Sequence, residues 1–180
     1  MSQPSVTPDS VPTTDELVKS ARAGEHSGIA GLYDRYAAAL FRTAYRLTGS
    51  AADAEDVVHD VFVGLPEALR RYEERGRLDA WLTRVTVRVA LMSARRTKRR
   101  YEAPLKEAAA VCDECSDASA EHAELRRAVM SLPSALRDVL VLKQIEGYSH
   151  EEIGALLGIT SGASRVRLAR AIDRLRRMLR

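Results

Sequence analysis

Cysteine is almost missing: in 180 residues there are two, Cys112 and Cys115. That is too few for a disulfide framework and fits a reducing compartment. Aromatic residues make up only 5%, with Trp81 the single tryptophan, so the cores must be built from aliphatic side chains. No stretch alternates apolar and polar residues long enough for a useful strand, and no segment repeats. No apolar run is long enough to cross a bilayer. The opening MSQPSVTPDSVPTT has neither a basic leader nor an apolar centre, so it is not a signal peptide. Residues 1–13 are expected to be a disordered tail on a cytoplasmic protein. No serine, histidine and acid arrangement emerges, nor any glycine-rich phosphate loop, which argues against an enzyme and against a cofactor.

What is present is a helical pattern. A chain with 46% hydrophobic and 29% charged residues suits one or two small domains with real cores. Asp15 to Ala23 fits a short helix stopping near Gly24. Ser27 to Leu47 places Ile29, Leu32, Tyr33, Tyr36, Leu40, Ala44 and Leu47 on one stripe. Ser50, three residues before Asp53, marks a helix start, with Val57, Val58, Val61, Phe62, Leu65 and Leu69 as its buried face. Pro66 should kink that helix or end it early. A fourth helix follows the loop EERGR and buries Leu78, Trp81, Leu82, Val85, Val89 and Met92. Residues 14–100 thus form a four-helix domain. Residues 101–119 lose the amphipathic period and gather Pro, Ala, Ser and acids, as a linker does. Residues 120–180 form a second all-α domain, in which Pro133 sits at the favoured first position of a helix.

Net charge is only +3, so its placement matters more than its size. From Arg84 to Arg100 seven basic residues, Arg84, Arg88, Arg95, Arg96, Lys98, Arg99 and Arg100, meet no acid. Conversely, Asp53, Glu55, Asp56 and Asp60 meet no lysine or arginine. The spacing of CDEC, with His122 nearby, suits a metal. A structural zinc site needs four ligands, however, and His26, His59 and His150 are scattered. Cys112 and Cys115 are therefore expected to be free thiols, with no metal bound.

The chain closes on SHEEIGALLGITSGASRVRLARAIDRLRRMLR. Ser149 and Glu152 fit a capping box, and Gly158 can take the left-handed stop. Thr160 or Ser161 can then cap a second helix after a tight turn, which is helix-turn-helix spacing. With Leu168, Ala171, Ile172, Leu175 and Leu179 inward, Arg165, Val166, Ala169, Arg170 and Asp173 fall on the opposite face. Arg167, Arg174 and Arg177 lie toward the flanks. Guanidinium groups so placed can reach phosphates or guanine edges in a major groove.

Four stretches in order, LYDRYAAALFRTAYRLTG, DAEDVVHDVF, RLDAWLTRVTVRVALMSARR and LPSALRDVLVLKQIEGYSHEEIGALLGIT, resemble the bacterial sigma-70 family in its extracytoplasmic-function (ECF) group. The resemblance covers nearly all of residues 15–180. It implies a non-enzymatic subunit that joins core RNA polymerase, recognises a promoter and helps separate its strands. It makes the first domain region 2, which reads the minus-10 element, and the last region 4, which reads the minus-35 element. Asp53, Asp56 and Asp60 then face core polymerase. Arg77, Arg84, Arg88, Arg95 and Arg96 follow the minus-10 strand. Thr160, Ser161, Arg165, Val166, Ala169, Arg170, Arg174 and Arg177 meet the minus-35 duplex. Relatives commonly carry asparagine and aspartate where Arg88 and Met92 stand, so their minus-10 preference does not carry over. An anti-sigma protein is a further partner the resemblance allows. Two other classes compete: a plain helix-turn-helix regulator, and a sigma-like decoy that binds an anti-sigma protein without initiating transcription.

Overall fold

A computed structural model describes residues 12–73, 77–100 and 120–179. It is all-helical: eight α-helices and, among the described residues, no strand.

The first domain begins with α1 (Thr14–Arg22), opened by the Thr13–Glu16 capping box. The amide and hydroxyl of Thr13 donate to Glu16 and hold its carboxyl below the ordinary range. Helix α2 (His26–Thr48) stops at Gly49, whose φ of 80° suits glycine and ends the helix in the left-handed region. Helix α3 (Ala51–Arg70) starts where the Ser50 hydroxyl accepts from the Asp53 amide. It continues through Pro66 to Arg70 rather than ending early. Leu65 and Leu69, both fully buried, anchor the turns on either side of the proline. Helix α4 (Leu78–Arg100) completes the domain. Leu17, Leu32, Leu40, Val58, Val61, Leu65, Leu69, Leu78 and Leu82 form its core. The Arg22 guanidinium donates to the carbonyls of Leu69 and Tyr72, tying α1 to the end of α3. Trp81 packs at the edge of this core, its ring 4.9 Å from that of Tyr72.

The second domain holds α5 (Ala120–Met130), α6 (Ser134–Gln144), α7 (His150–Leu157) and α8 (Ser161–Met178), and Ala128, Leu132, Leu140, Ala171 and Leu175 form a core among α5, α6 and α8. Pro133 caps α6 from outside rather than opening it. Its fixed φ pre-orders the entry in either position.

A third cluster belongs to both domains. Ala44, Tyr45 and Leu47 of α2, Ala54 and Val57 of α3, and Val87, Ala90 and Leu91 of α4 pack with Val139, Val141 and Leu142 of α6 and Ile153 of α7. This cluster explains where the sequence pattern misplaced α4. Met92 is 52% exposed, while Thr86, Val87, Ala90 and Leu91 are buried, because the second domain covers a face that the first-domain stripe does not include. Two other expected core residues also lie outside. Tyr33, 49% exposed, lines a groove and sets its ring 4.9 Å from that of Phe62 at a tilt of 59°. Leu179, 41% exposed, is the C-cap residue beyond the last turn of α8.

Candidate nucleic-acid interface

The end of the chain folds as a helix-turn-helix for local reasons that can be followed atom by atom. Ser149 and Glu152 form both halves of a capping box at the start of α7. Those hydrogen bonds hold the Glu152 carboxyl below the usual range. Gly158 ends α7 with φ 69°. At Gly154 a Cβ would lie 2.7 Å from the Ile159 carbonyl, so only glycine lets the turn fold back so tightly. Thr160, not Ser161, caps α8: its hydroxyl accepts from the Ala163 amide at 3.1 Å, while Ser161 is the first helical residue. One tie was not legible in the sequence. Ser164, fully buried, lies 2.9 Å from His150 Nδ1, joining the start of α7 to the first turns of α8.

That framework turns one face of α8 to solvent. Arg165, Ala169, Arg170, Arg174 and Arg177 are exposed there, with Val166 half exposed and Thr160 and Ser161 at its N-terminal end. Arg165 pairs with Glu151 of α7 at 3.1 Å, and Arg177 with Asp173 at 2.7 Å. Both pairs are solvent-exposed, a setting in which such pairs contribute only ~0–1 kcal/mol, so either arginine can exchange its carboxylate for a phosphate or base. Val166 and Ala169 offer methyl groups suited to a thymine methyl.

The basic run on α4 stands in different surroundings. Arg77, Arg84, Arg88, Arg95 and Arg96 are all exposed, but the second domain fronts the helix. Arg77 and Arg84, with Asp79 and Thr83, line one wall of a cleft whose other wall is Ile145, Glu146, Gly147, Tyr148 and Glu152. Arg95 donates to the Leu156 carbonyl, near the end of α7, at 2.6 Å. Burial raises the Glu146 carboxyl, against the hydroxyl of Thr43 and the charge of Arg46. Burial likewise raises the Tyr148 phenol, opposed chiefly by Arg84.

The acidic residues of α3 divide. Asp56 and Asp60 are exposed. Asp53 is half-buried in a second inter-domain recess beside Arg95, Arg137, Asp138 and Arg167. A groove between α2 and α3, lined by Tyr33, Ala37, Phe41, Arg42, Glu55 and His59, borders the acidic face, with Val63, 67% exposed, on the same helix. Cys112 and Cys115 lie outside the described residues, and no group of three or more His, Cys, Asp or Glu able to hold a metal occurs among those described.

Two family models match the chain, Sigma-70 region 2 over residues 32–100 and Sigma-70, region 4 over residues 122–175. The ECF RNA polymerase sigma factor SigE of Mycolicibacterium smegmatis is 34% identical over 92% of the chain, which spans 61% of that relative's length. RNA polymerase sigma factor CarQ of Myxococcus xanthus is 31% identical, over 88% of the chain and 92% of its own length. The ECF RNA polymerase sigma factor SigL of Mycobacterium tuberculosis is 30% identical, over 88% and 93%. Among solved structures, sigma factor RpoE in complex with the anti-sigma factor NepR from Bartonella quintana has the same fold, with a TM-score of 0.60, 24% identity and coverage of 78% and 89%. CnrH in complex with the cytosolic domain of CnrY aligns with a TM-score of 0.53 at 28% identity, over 91% and 94%.

Proposed function

Because the chain belongs to the sigma-70 family, in its extracytoplasmic-function group, we propose that it joins core RNA polymerase and directs promoter-specific initiation from the cytoplasm, as a non-enzymatic subunit. The observation that carries this reading is the pairing of two basic surfaces on two domains, α4 within the region 2 match and α8 within the region 4 match. A plain helix-turn-helix regulator would need only the second.

The division of labour follows from the surroundings of each surface. α8 presents forked donors and two small apolar side chains on one exposed face, which suits base edges and thymine methyls of a minus-35 duplex. α4 presents a line of cations, which suits the phosphates of an opened minus-10 strand and carries less sequence information. Arg88 and Met92 both stand at its surface, so a base at that strand meets a cation and a thioether rather than the amide and carboxylate common in relatives. Asp56 and Asp60 supply the acidic face toward core polymerase, with Asp53 at its inner edge. An anti-sigma protein is the further partner this reading admits, competing with polymerase for the α2–α3 groove.

The test is transcription from a promoter library by purified core polymerase with and without the chain. Start sites that appear only with the chain, preceded by a common pair of elements, support the reading. Association with polymerase but no start sites would point to a decoy, and duplex binding without polymerase association to a plain regulator.

A further inference from the structure

Two pairs in register tie α7 to α8. Ser164 is fully buried, and its hydroxyl lies 2.9 Å from His150 Nδ1. The next residue on each helix repeats the pairing: Arg165 Nη2 donates to Glu151 Oε1 at 3.1 Å. A buried hydroxyl requires a partner, so the first pair fixes how the start of α8 is rotated against α7. Gly154, where a Cβ would lie 2.7 Å from the Ile159 carbonyl, keeps the turn between them close. The second pair then places one arginine of the exposed face from a neighbouring helix. Arg177, by contrast, pairs with Asp173 inside α8 itself.

Glu151 has no part in the capping box, which uses Ser149 and Glu152. A carboxylate in the first turn of α7 is favoured by the amides there, but that does not account for its partner on α8. What the pairing does to DNA binding follows from donor geometry. A guanidinium carries five N–H donors in a planar fork. Glu151 engages one terminal nitrogen, and the remaining donors can reach O6 and N7 of a guanine without breaking the pair. A phosphate contact has a different balance. α7 is the helix that crosses the DNA backbone in this docking geometry, so an Arg165 that swings to a phosphate leaves an unpaired carboxylate beside the phosphate chain. Discrimination is a difference between two affinities and can be built by penalising the wrong complex.

We propose that Glu151 is a specificity residue supplied by α7: it positions the Arg165 guanidinium for a base edge and penalises complexes in which Arg165 takes a phosphate instead. This rests on the reading of α8 as the minus-35 reader. Glu151 touches no base itself. It acts through Arg165, and the buried His150 to Ser164 tie holds the two helices in the register that lets it do so.

The test uses the full chain bound to core polymerase and duplexes randomised over the minus-35 element, followed by titrations on the selected duplex and on a scrambled one. Glu151→Ala should bind the scrambled duplex about fivefold more tightly, the upper end of what an exposed pair contributes, and change affinity for the selected duplex by less than about twofold. Preference should weaken at the base pair that Arg165 reads and hold at the others. Glu151→Gln, which keeps an acceptor oxygen without the charge, should fall between parent and alanine variant. In an Arg165→Ala background, Glu151→Ala should leave the preference unchanged. Equal gains on both duplexes would make Glu151 no more than a charge near DNA and overturn the proposal, as would a loss of preference that persists without Arg165. A parent chain that selects a common element, with Glu151→Ala selecting it equally well, sinks this inference alone. A parent that selects no element sinks the reading of α8 and this inference with it.

Discussion

Helices α4 and α8 carry similar charge and lie in opposite circumstances. Both are long and end in a dense run of basic residues, and Arg84, Arg88, Arg95 and Arg96 of α4, like Arg165, Arg170, Arg174 and Arg177 of α8, are exposed. Yet on α8 Arg165 and Arg177 meet Glu151 and Asp173 in solvent-exposed pairs, whereas on α4 Arg77 and Arg84 line a cleft with Glu146 and Glu152 of the second domain and Arg95 donates to a carbonyl of α7. A count of arginines would rank the two surfaces alike. Under the proposed function α8 reads a duplex and α4 follows an opened strand, and the two helices differ in what stands beside them.

The comparison breaks most completely if the acidic face of α3 is reversed. Asp56→Arg with Asp60→Arg should lower affinity for core polymerase by about two orders of magnitude, the scale of removing close charge pairs at an interface. Helical circular dichroism should be unchanged, because both side chains are exposed. With polymerase lost, neither α4 nor α8 directs transcription, and a co-sedimentation assay reads the loss directly.

Smaller effects separate the two helices. Arg165→Ala should cost ~1–3 kcal/mol on a matched minus-35 duplex and relax preference at one base pair. Arg177→Ala should weaken all duplexes alike and reduce the slope of log affinity against log salt by about 0.9. Equal losses on every duplex from both variants would mean that α8 grips without reading.

The smallest expected effect is on pH, through Glu146. Its carboxyl is raised by burial, against Thr43 and Arg46, and shares its cleft with Arg77, Asp79, Arg84, Tyr148 and Glu152. A carboxyl raised by the contact between the domains holds its proton more firmly in that contact. The contact is therefore favoured below the ordinary glutamate range and progressively weakened as pH rises through the raised value. Glu146→Gln should flatten that dependence and leave the two domains in closer contact at neutral pH, as read by the distance between spin labels at Glu67→Cys on α3 and Arg176→Cys on α8.

Much of this was legible in the residues because the signals are local. The capping box at Ser149 and Glu152, the stop at Gly158 and the arginines of α8 each depend on neighbours within a few positions. The α4 face was not, because what covers it comes from more than fifty residues away. Met92 looked like core on the period of its own helix, and only Val141, Leu142 and Ile153 explain why Val87, Ala90 and Leu91 are buried in its place. Arg137 gave no signal at all, since a lone arginine early in a helix looks like surface until the carbonyls of Leu47 and Thr48 come into view. The Ser164 to His150 tie stayed hidden for the same reason.

The most direct test of the contrast between α4 and α8 titrates the free chain, and then its complex with core polymerase, with two probes: a minus-35 duplex and a single-stranded minus-10 oligonucleotide. Arg84→Ala with Arg88→Ala serves as the control that assigns strand binding to α4. The expected result is duplex binding by the free chain through α8, with strand binding that depends on Arg84 and Arg88 appearing only in the complex. A free chain that binds the single strand through those arginines as tightly as the complex does would contradict the account.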